Sequence, residues 1–315
     1  MNTGILNIGI CTVDAIGQYV DEFPPPGGLR TFDRLTLTTG GCATNCSFAL
    51  ARMGLPCRMI IKVGDDVLGR FVLDEAKRHN IDTAGIIVAA GEGTPFTFVC
   101  VHRGGQRSFI HTTGTNATLC LDDIDMNLVR SARFCSVSGA MIMPEFDGQQ
   151  TAELLRQAQK VGAITLLDTV YTDAADQATW QAKMFPPLRY VNYFVPSEPE
   201  ARALTGQTDP AAMARTLQQQ GCRHVVIKLG AEGAFCRDAD GHEQHVPVYN
   251  VDEVVDTTGA GDAWVAGFLA GLREGAPTVE AARLGNAVAA HCIQAAGATA
   301  GVVPLEQIRR FQQTV

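Results

Sequence analysis

The chain has 315 residues, with 25 Lys and Arg against 33 Asp and Glu, a formal net charge of −8. Hydrophobic residues make up 46% and charged residues 18%, too apolar for a disordered chain and long enough for one large α/β domain or two ordinary ones. The acidic balance, without a basic run anywhere, excludes general nucleic-acid binding, which needs clustered Lys and Arg.

Met1 to Ile10 lacks a basic segment followed by a long apolar stretch, so no secretory leader is expected. No segment approaches the uninterrupted apolar length of a membrane span. A cytoplasmic chain without a membrane partner is the expectation. The ten cysteines are scattered and form no C-x-x-C pair. They suit neither a zinc ribbon nor a dithiol redox site, and are read as reduced, small core residues.

In chain order, Ile5 to Ile10 reads as a strand. Asn45 to Met53 reads as a helix, with Cys46, Ala49, Leu50 and Met53 on one face and Gly54 as its stop. Met59 to Val63 is the next apolar run. Phe134 to Ser138, a helix near Thr151 to Val161, and Ile164 to Asp168 follow. Val191 to Val195, a helix from Asp209 to Gln220, and Val225 to Leu229 continue the alternation. Strands separated by helices predict βαβ units and a mostly parallel sheet covered on both faces. Two stretches break this rhythm. Tyr19 to Thr38 places Pro24-Pro25-Pro26-Gly27-Gly28 between two short strands. Phe96 to Ile110 reads as a hairpin turning at His102-Arg103-Gly104-Gly105-Gln106-Arg107. Together they predict a small separate sheet projecting from a single domain.

Chemistry concentrates in Asp256-Thr257-Thr258-Gly259-Ala260-Gly261-Asp262. An extended run, Val246 to Val255, precedes it. Trp264, Val265, Phe268, Leu269 and Leu272 then recur at helical spacing until Gly275. Gly259, Ala260 and Gly261 therefore fall at a strand-to-helix junction. Small residues there let N–H groups turn inward, and a helix start adds unpaired N–H groups and a positive dipole end. This is an anion hole suited to a transferring phosphoryl group. Asp262 beside it can take the proton of a hydroxyl nucleophile. The competing reading is a tight turn followed by a helix-capping Asp.

The string D-T-T-G-A-G-D resembles the C-terminal signature of the ribokinase-like (phosphofructokinase B) carbohydrate kinases. Gly40-Gly41-Cys42-Ala43-Thr44-Asn45 resembles that family's N-terminal signature, and Gly64-Asp65-Asp66 its next loop. The resemblance implies an αβα sandwich with a mostly parallel central sheet and a small β-sheet lid, formed here roughly by 15–38 and 95–112. It implies an ATP-dependent kinase of a sugar-like alcohol that works with Mg²⁺, with K⁺ activation in some members. By the same resemblance, Asp262 is the base and Gly259, Ala260 and Gly261 the anion hole. Asp14, Gly40, Gly41 and Asn45 bind the acceptor. Lys228, Gly230, Gly233, Thr258 and Asn286 lie on the nucleotide side, Asn286 within a helix spanning Val279 to Ala296. Where the family usually has Asn-x-x-Glu, this chain has Ser197-Glu198-Pro199-Glu200. The acid is kept at Glu200 as a metal-side residue, but Ser replaces Asn. Asp168, at a strand's C-terminal edge, is a further nucleotide-side candidate.

Arg107 and Asn116 are placed near the acceptor. An inward Arg107 would clamp a carboxylate or a phosphate and favour a sugar acid. A simple sugar is the first expectation, a sugar acid the second, a nucleoside the third. A nicotinamide dehydrogenase is disfavoured because no G-x-G-x-x-G opens an early helix. A non-catalytic sensor is disfavoured because Asp262 and its glycines are intact. An exposed aromatic lid face suggests a homodimer through the lid.

Overall fold

The computed structural model describes residues 4–104 and 106–314, so Met1–Thr3, Val315 and Gly105, which the sequence reading assigned to the hairpin turn, lie outside the described residues. The strands are β1 (Ile5–Gly9), β2 (Thr12–Gln18), β3 (Arg34–Gly40), β4 (Cys57–Gly64), β5 (Ile86–Ala89), β6 (Phe96–Val101) and β7 (Arg107–Thr112), then β8 (Phe134–Ala140), β9 (Ile164–Thr169), β10 (Tyr193–Phe194), β11 (His224–Lys228), β12 (Ala234–Arg237) and β13 (Glu243–Val246). The helices are α1 (Cys42–Arg52), α2 (Val67–Arg78), α3 (Met126–Arg130), α4 (Gln149–Lys160) and α5 (Gln177–Leu188), then α6 (Glu198–Thr205), α7 (Pro210–Gln219), α8 (Ala260–Arg273), α9 (Thr278–Cys292) and α10 (Leu305–Thr314).

Among the described residues, nine strands form one sheet in the order β13-β12-β11-β10-β9-β8-β1-β4-β5. Pairing is parallel from β5 through β11 and antiparallel for β11–β12–β13. Successive strand residues feed opposite cores. Ile5, Met59, Phe134 and Leu166 pack on one face with α1, α8 and α9. Leu6, Ile60, Cys135 and Leu167 pack on the other with α4, α5 and α7. Two buried faces explain why β1 and β8 read as unbroken apolar or small runs. All ten cysteines are free thiols, and all but Cys42 and Cys120 are buried. Among the described residues no helix is long and apolar enough to cross a membrane.

The small sheet has the order β3-β2-β6-β7. It begins earlier and ends later than expected: β2 starts at Thr12 and β3 runs to Gly40. Asp14 therefore lies within a strand of the small sheet and does not merely follow β1. Its cross-strand row is Thr38–Asp14–Thr97–His111. By the two-residue alternation of strands, Arg107 and Phe109 share that face. The opposite face carries the row Leu37–Ala15–Phe98–Ile110.

Three of the boundaries that differ from the sequence reading bear on the site. Helix α1 starts at Cys42, not Asn45. The strand before the glycine-rich bend stops at Val246, and the run to Val255 is irregular. Helix α9 stops at Cys292, not Ala296.

Candidate active site

The catalytic candidates gather where α1 and α8 begin. Gly41 is the N-cap of α1, so Asn45 sits inside the helix and is not its cap. Gly259 is the N-cap of α8, which likewise removes the capping reading of Asp262. The two side chains, 217 residues apart, meet: Asn45 Nδ2 donates to Asp262 Oδ2 at 2.8 Å. Burial raises the Asp262 carboxyl above the ordinary Asp value, against the lowering pull of the Asn45 amide, the Cys42 thiol and the Lys228 ammonium.

The bend provides the donors. Gly259 has φ +74°, and a Cβ there would lie 2.3 Å from the Ala298 carbonyl oxygen. Only glycine fits both conditions. The N–H of Ala260 donates to Thr257 O at 3.2 Å and closes the turn. Among the described residues, the N–H groups of Gly261 and Asp262 have no acceptor. They are the unpaired first-turn donors expected at a helix start, where an anion can bind. The unpaired donors at the bend are thus those of Gly261 and Asp262, while Gly259 shapes the bend and Ala260 closes the turn. A Cβ on Gly261 would meet only Lys228 Nζ, at 3.8 Å.

The acceptor-side residues divide. Asp14 Oδ1 accepts from Thr12 Oγ1 at 2.9 Å, and burial raises its carboxyl. A Cβ on Gly40 would lie 2.3 Å from Asp14 Oδ2, so the glycine's smallness seats the carboxylate. Close approach links Gly40 to Asp14, and hydrogen bonds link Asn45 to Gly41 and to Asp262. Asn116 is committed elsewhere: it donates to Cys11 O at 2.8 Å and accepts from Cys11 N at 3.2 Å. These two bonds hold the β1–β2 junction. Arg107 also departs from the expected clamp. Its guanidinium reaches Asp256 Oδ1 at 2.8 Å and bonds the Thr258 hydroxyl.

Two adjoining cavities flank the bend, sharing Lys228, Gly230 and Gly261. One, about 530 Å³, is lined by Cys42, Asp168, Glu200, Lys228 and Asp262. The other, about 550 Å³, is lined by Val248, Tyr249, Val254, Trp264, Ala289 and Ile293 among others. Lys228 is no solvated surface group: it lies 2.7 Å from Asp168 Oδ1 and is only 12% exposed. Burial would lower its pKa, but Asp168, then Glu200, carry it upward, so it stays an ammonium. Burial raises Asp168, reinforced by Glu200 and opposed by Lys228. Glu200 accepts from Ser197 N at 2.6 Å and Thr169 Oγ1 at 2.9 Å. Ser197 thus acts as the N-cap of α6.

On the apolar side, Asn286 spends its amide on structure. Its Oδ1 accepts from Trp264 Nε1 at 2.7 Å, and its Nδ2 donates to Val246 O at 3.1 Å and Pro247 O at 2.8 Å. It lines the cavity while fixing the wall. Gly230 has open space around it, whereas a Cβ on Gly233 would strike Val246 O at 2.1 Å, so Gly233 serves the β12–β13 packing. Thr257, not Thr258, lines this cavity. Sequence reasoning missed Cys42, although it stands inside the first glycine string. It also missed Trp264, which was read only as a helix-face residue.

Asp256 anchors the bend. It accepts from Thr258 N and Gly297 N, each at 2.8 Å. Burial would raise its carboxyl, but Arg107 and these N–H donors outweigh it and hold the pKa at about 2. A depressed carboxyl stabilises the fold above its unfolded value near 3.8, and that contribution is lost as pH falls through about 2. Asp256→Asn is expected to lower stability by about 2 kcal/mol at pH 7. Denaturant melts should show the gap between variant and wild type closing between pH 4 and 2.

Residues 2–305 match the pfkB family of carbohydrate kinases. The chain is 28% identical over 308 residues to a 2-dehydro-3-deoxygluconokinase of Bacillus subtilis, covering 94% of this chain and 93% of that protein. It is 31% identical to an uncharacterized sugar kinase of Archaeoglobus fulgidus, covering 80% and 97%. Its fold resembles an Arabidopsis thaliana ribokinase complexed with ribose and ATP, with a TM-score of 0.87, 21% identity and 99% of each chain covered. The fold is the ribokinase-like α/β fold, and the class is a phosphotransferase with an alcohol group as acceptor. The chain belongs to the pfkB family of carbohydrate kinases.

Proposed function

We propose that the chain transfers the γ-phosphoryl group of ATP to a hydroxyl of a small sugar acid. One observation carries the catalytic part: the Asn45–Asp262 contact joins both glycine strings beside two N–H groups without acceptors. Asp14 accepts from acceptor hydroxyls, and a carboxylate can serve two at once. Asp262 takes the proton of the attacking hydroxyl, as its ionised form allows. The N–H groups of Gly261 and Asp262 receive the charge that builds on the phosphoryl oxygens. Lys228 adds a fixed positive charge where the two cavities join, and the apolar cavity suits a nucleobase.

The donor chemistry fits a divalent cation carried by the nucleotide. Asp168, Glu200 and Asp262 share a cavity with a single ammonium, Lys228. Glu200 and Asp168 are the carboxylates that would face Mg²⁺, which supplies charge neutralisation on the phosphates.

The acid reading rests on the Bacillus subtilis relative and on Arg34 and His111, which share Asp14's face of the small sheet. The ribose-bound neighbour favours a neutral sugar as the second reading. A coupled ADP-release assay with ATP and Mg²⁺ over ketoses, aldoses, sugar acids and nucleosides tests both. The expected best acceptor is a 2- or 5-keto sugar acid. Higher kcat/KM for ribose would move the assignment to the second reading, and ADP release with none of them would remove it.

We also read the small sheet as a lid and as a dimer surface. Leu35 (53% exposed), Leu37 (45%) and Ile110 (53%) lie on the face turned away from Asp14, and such a patch calls for cover. Light scattering at micromolar concentration should give a dimer for the wild type and a monomer for Ile110→Asp. A wild-type monomer would contradict this reading.

A further inference from the structure

We propose that Arg107 is a positioning residue that couples docking of the small sheet to assembly of the phosphate-binding bend, an inference that rests on the kinase reading above. Arg107 opens β7, an edge strand of the small sheet. Its strand parity puts it on the face that carries Asp14. From there its guanidinium crosses to Asp256 and the Thr258 hydroxyl, in the residues leading directly into Gly259. Its neighbour Arg103 shows the contrast. Arg103 pairs with Asp21 at 3.1 Å and lies over the Tyr19 ring, so it ties together two connections between the small sheet's strands.

Asp256 makes the crossing consequential. Its carboxylate is 6% exposed and also holds the N–H groups of Thr258 and Gly297. Lifting the sheet withdraws the cation from a buried carboxylate that fixes the turn, and a buried charge left without its partner is costly. The bend is therefore held in its working shape when the sheet is docked, and loosened when it lifts. The face that presents Asp14 to the acceptor is the same face that clamps the bend. Acceptor binding and phosphate binding are thereby linked, and transfer to water is suppressed while the site is open.

The test compares Arg107→Ala and Arg107→Lys with the wild type, using ATP and Mg²⁺ with one neutral and one acidic sugar that the wild type phosphorylates. Arg107→Ala should lower kcat/KM by roughly 10–10²-fold for both acceptors alike, and raise the ratio of ATP hydrolysis to phosphoryl transfer. Arg107→Lys should recover part of both losses. Hydrogen exchange of residues 256–262, with nucleotide and acceptor bound, should be faster in Arg107→Ala than in wild type. A loss confined to the acidic acceptor, with unchanged hydrolysis ratio and unchanged exchange, would overturn the coupling and make Arg107 a carboxylate clamp. Wild-type protein that phosphorylates no sugar would instead remove the kinase reading, an outcome separate from the behaviour of the variants.

Discussion

Asp262→Asn is expected to lower kcat by at least ~10²-fold while leaving KM for sugar and ATP nearly unchanged, the range typical of losing a general base. The amide keeps the size of the carboxylate and can still bond Asn45, so the fold around α1 and α8 should persist. It cannot accept the hydroxyl proton. In the wild type the same role predicts a pH dependence. Burial holds the Asp262 carboxyl above its ordinary value of 3.8, and the base works only when ionised. Turnover should therefore fall with acid through an apparent pKa above the usual Asp range, and this limb should vanish in Asp262→Asn. Wild-type turnover in the variant would assign the proton transfer to another group.

The second large effect separates two glycines that look alike in sequence. Gly261→Ala should fold normally, because its Cβ meets only Lys228 Nζ at 3.8 Å and alanine suits a helix. It nevertheless places a methyl group beside the unpaired N–H donors. A fall in kcat of roughly 10²–10³-fold is expected, the size of losing an oxyanion-hole donor. Gly259→Ala should fail differently. Its backbone is left-handed and its Cβ would overlap the Ala298 carbonyl oxygen, so destabilisation of at least ~1–3 kcal/mol is expected. Melting temperature and kcat measured on both variants check the division. Equal destabilisation, or an active Gly261→Ala enzyme, would contradict it.

The parallel sheet was legible because buried strands flanked by amphipathic helices leave a clear alternation, as from Phe134 to Asp168. The site's two poles were legible because glycines in front of an Asn and an Asp are scarce enough to stand out. What the chain order concealed was partnership. Arg107, Lys228, Asn116 and Asn286 each have a residue type that suits a ligand, and each has its polar group bound to protein. Their partners are Asp256, Asp168, Cys11 and the Val246–Pro247 backbone. All four partners lie 39 or more residues away in sequence, and local spacing carries no signal of contacts at that range. The irregular run to Val255 was misread for a related reason. Its β-branched residues favour a strand, but among the described residues no neighbouring strand pairs with it. The start of α1 was placed late because the N-cap is a glycine, which gives no capping side chain to read.

The most direct measurement is a crystal structure with a phosphorylated sugar acid's parent acceptor, ADP, Mg²⁺ and aluminium fluoride. The expected result is the fluoride group held by the N–H groups of Gly261 and Asp262, with an acceptor hydroxyl within hydrogen-bond distance of the Asp262 carboxylate and a second hydroxyl on Asp14. Aluminium fluoride bound away from this bend, or an acceptor whose hydroxyls leave Asp262 untouched, would contradict the assignment.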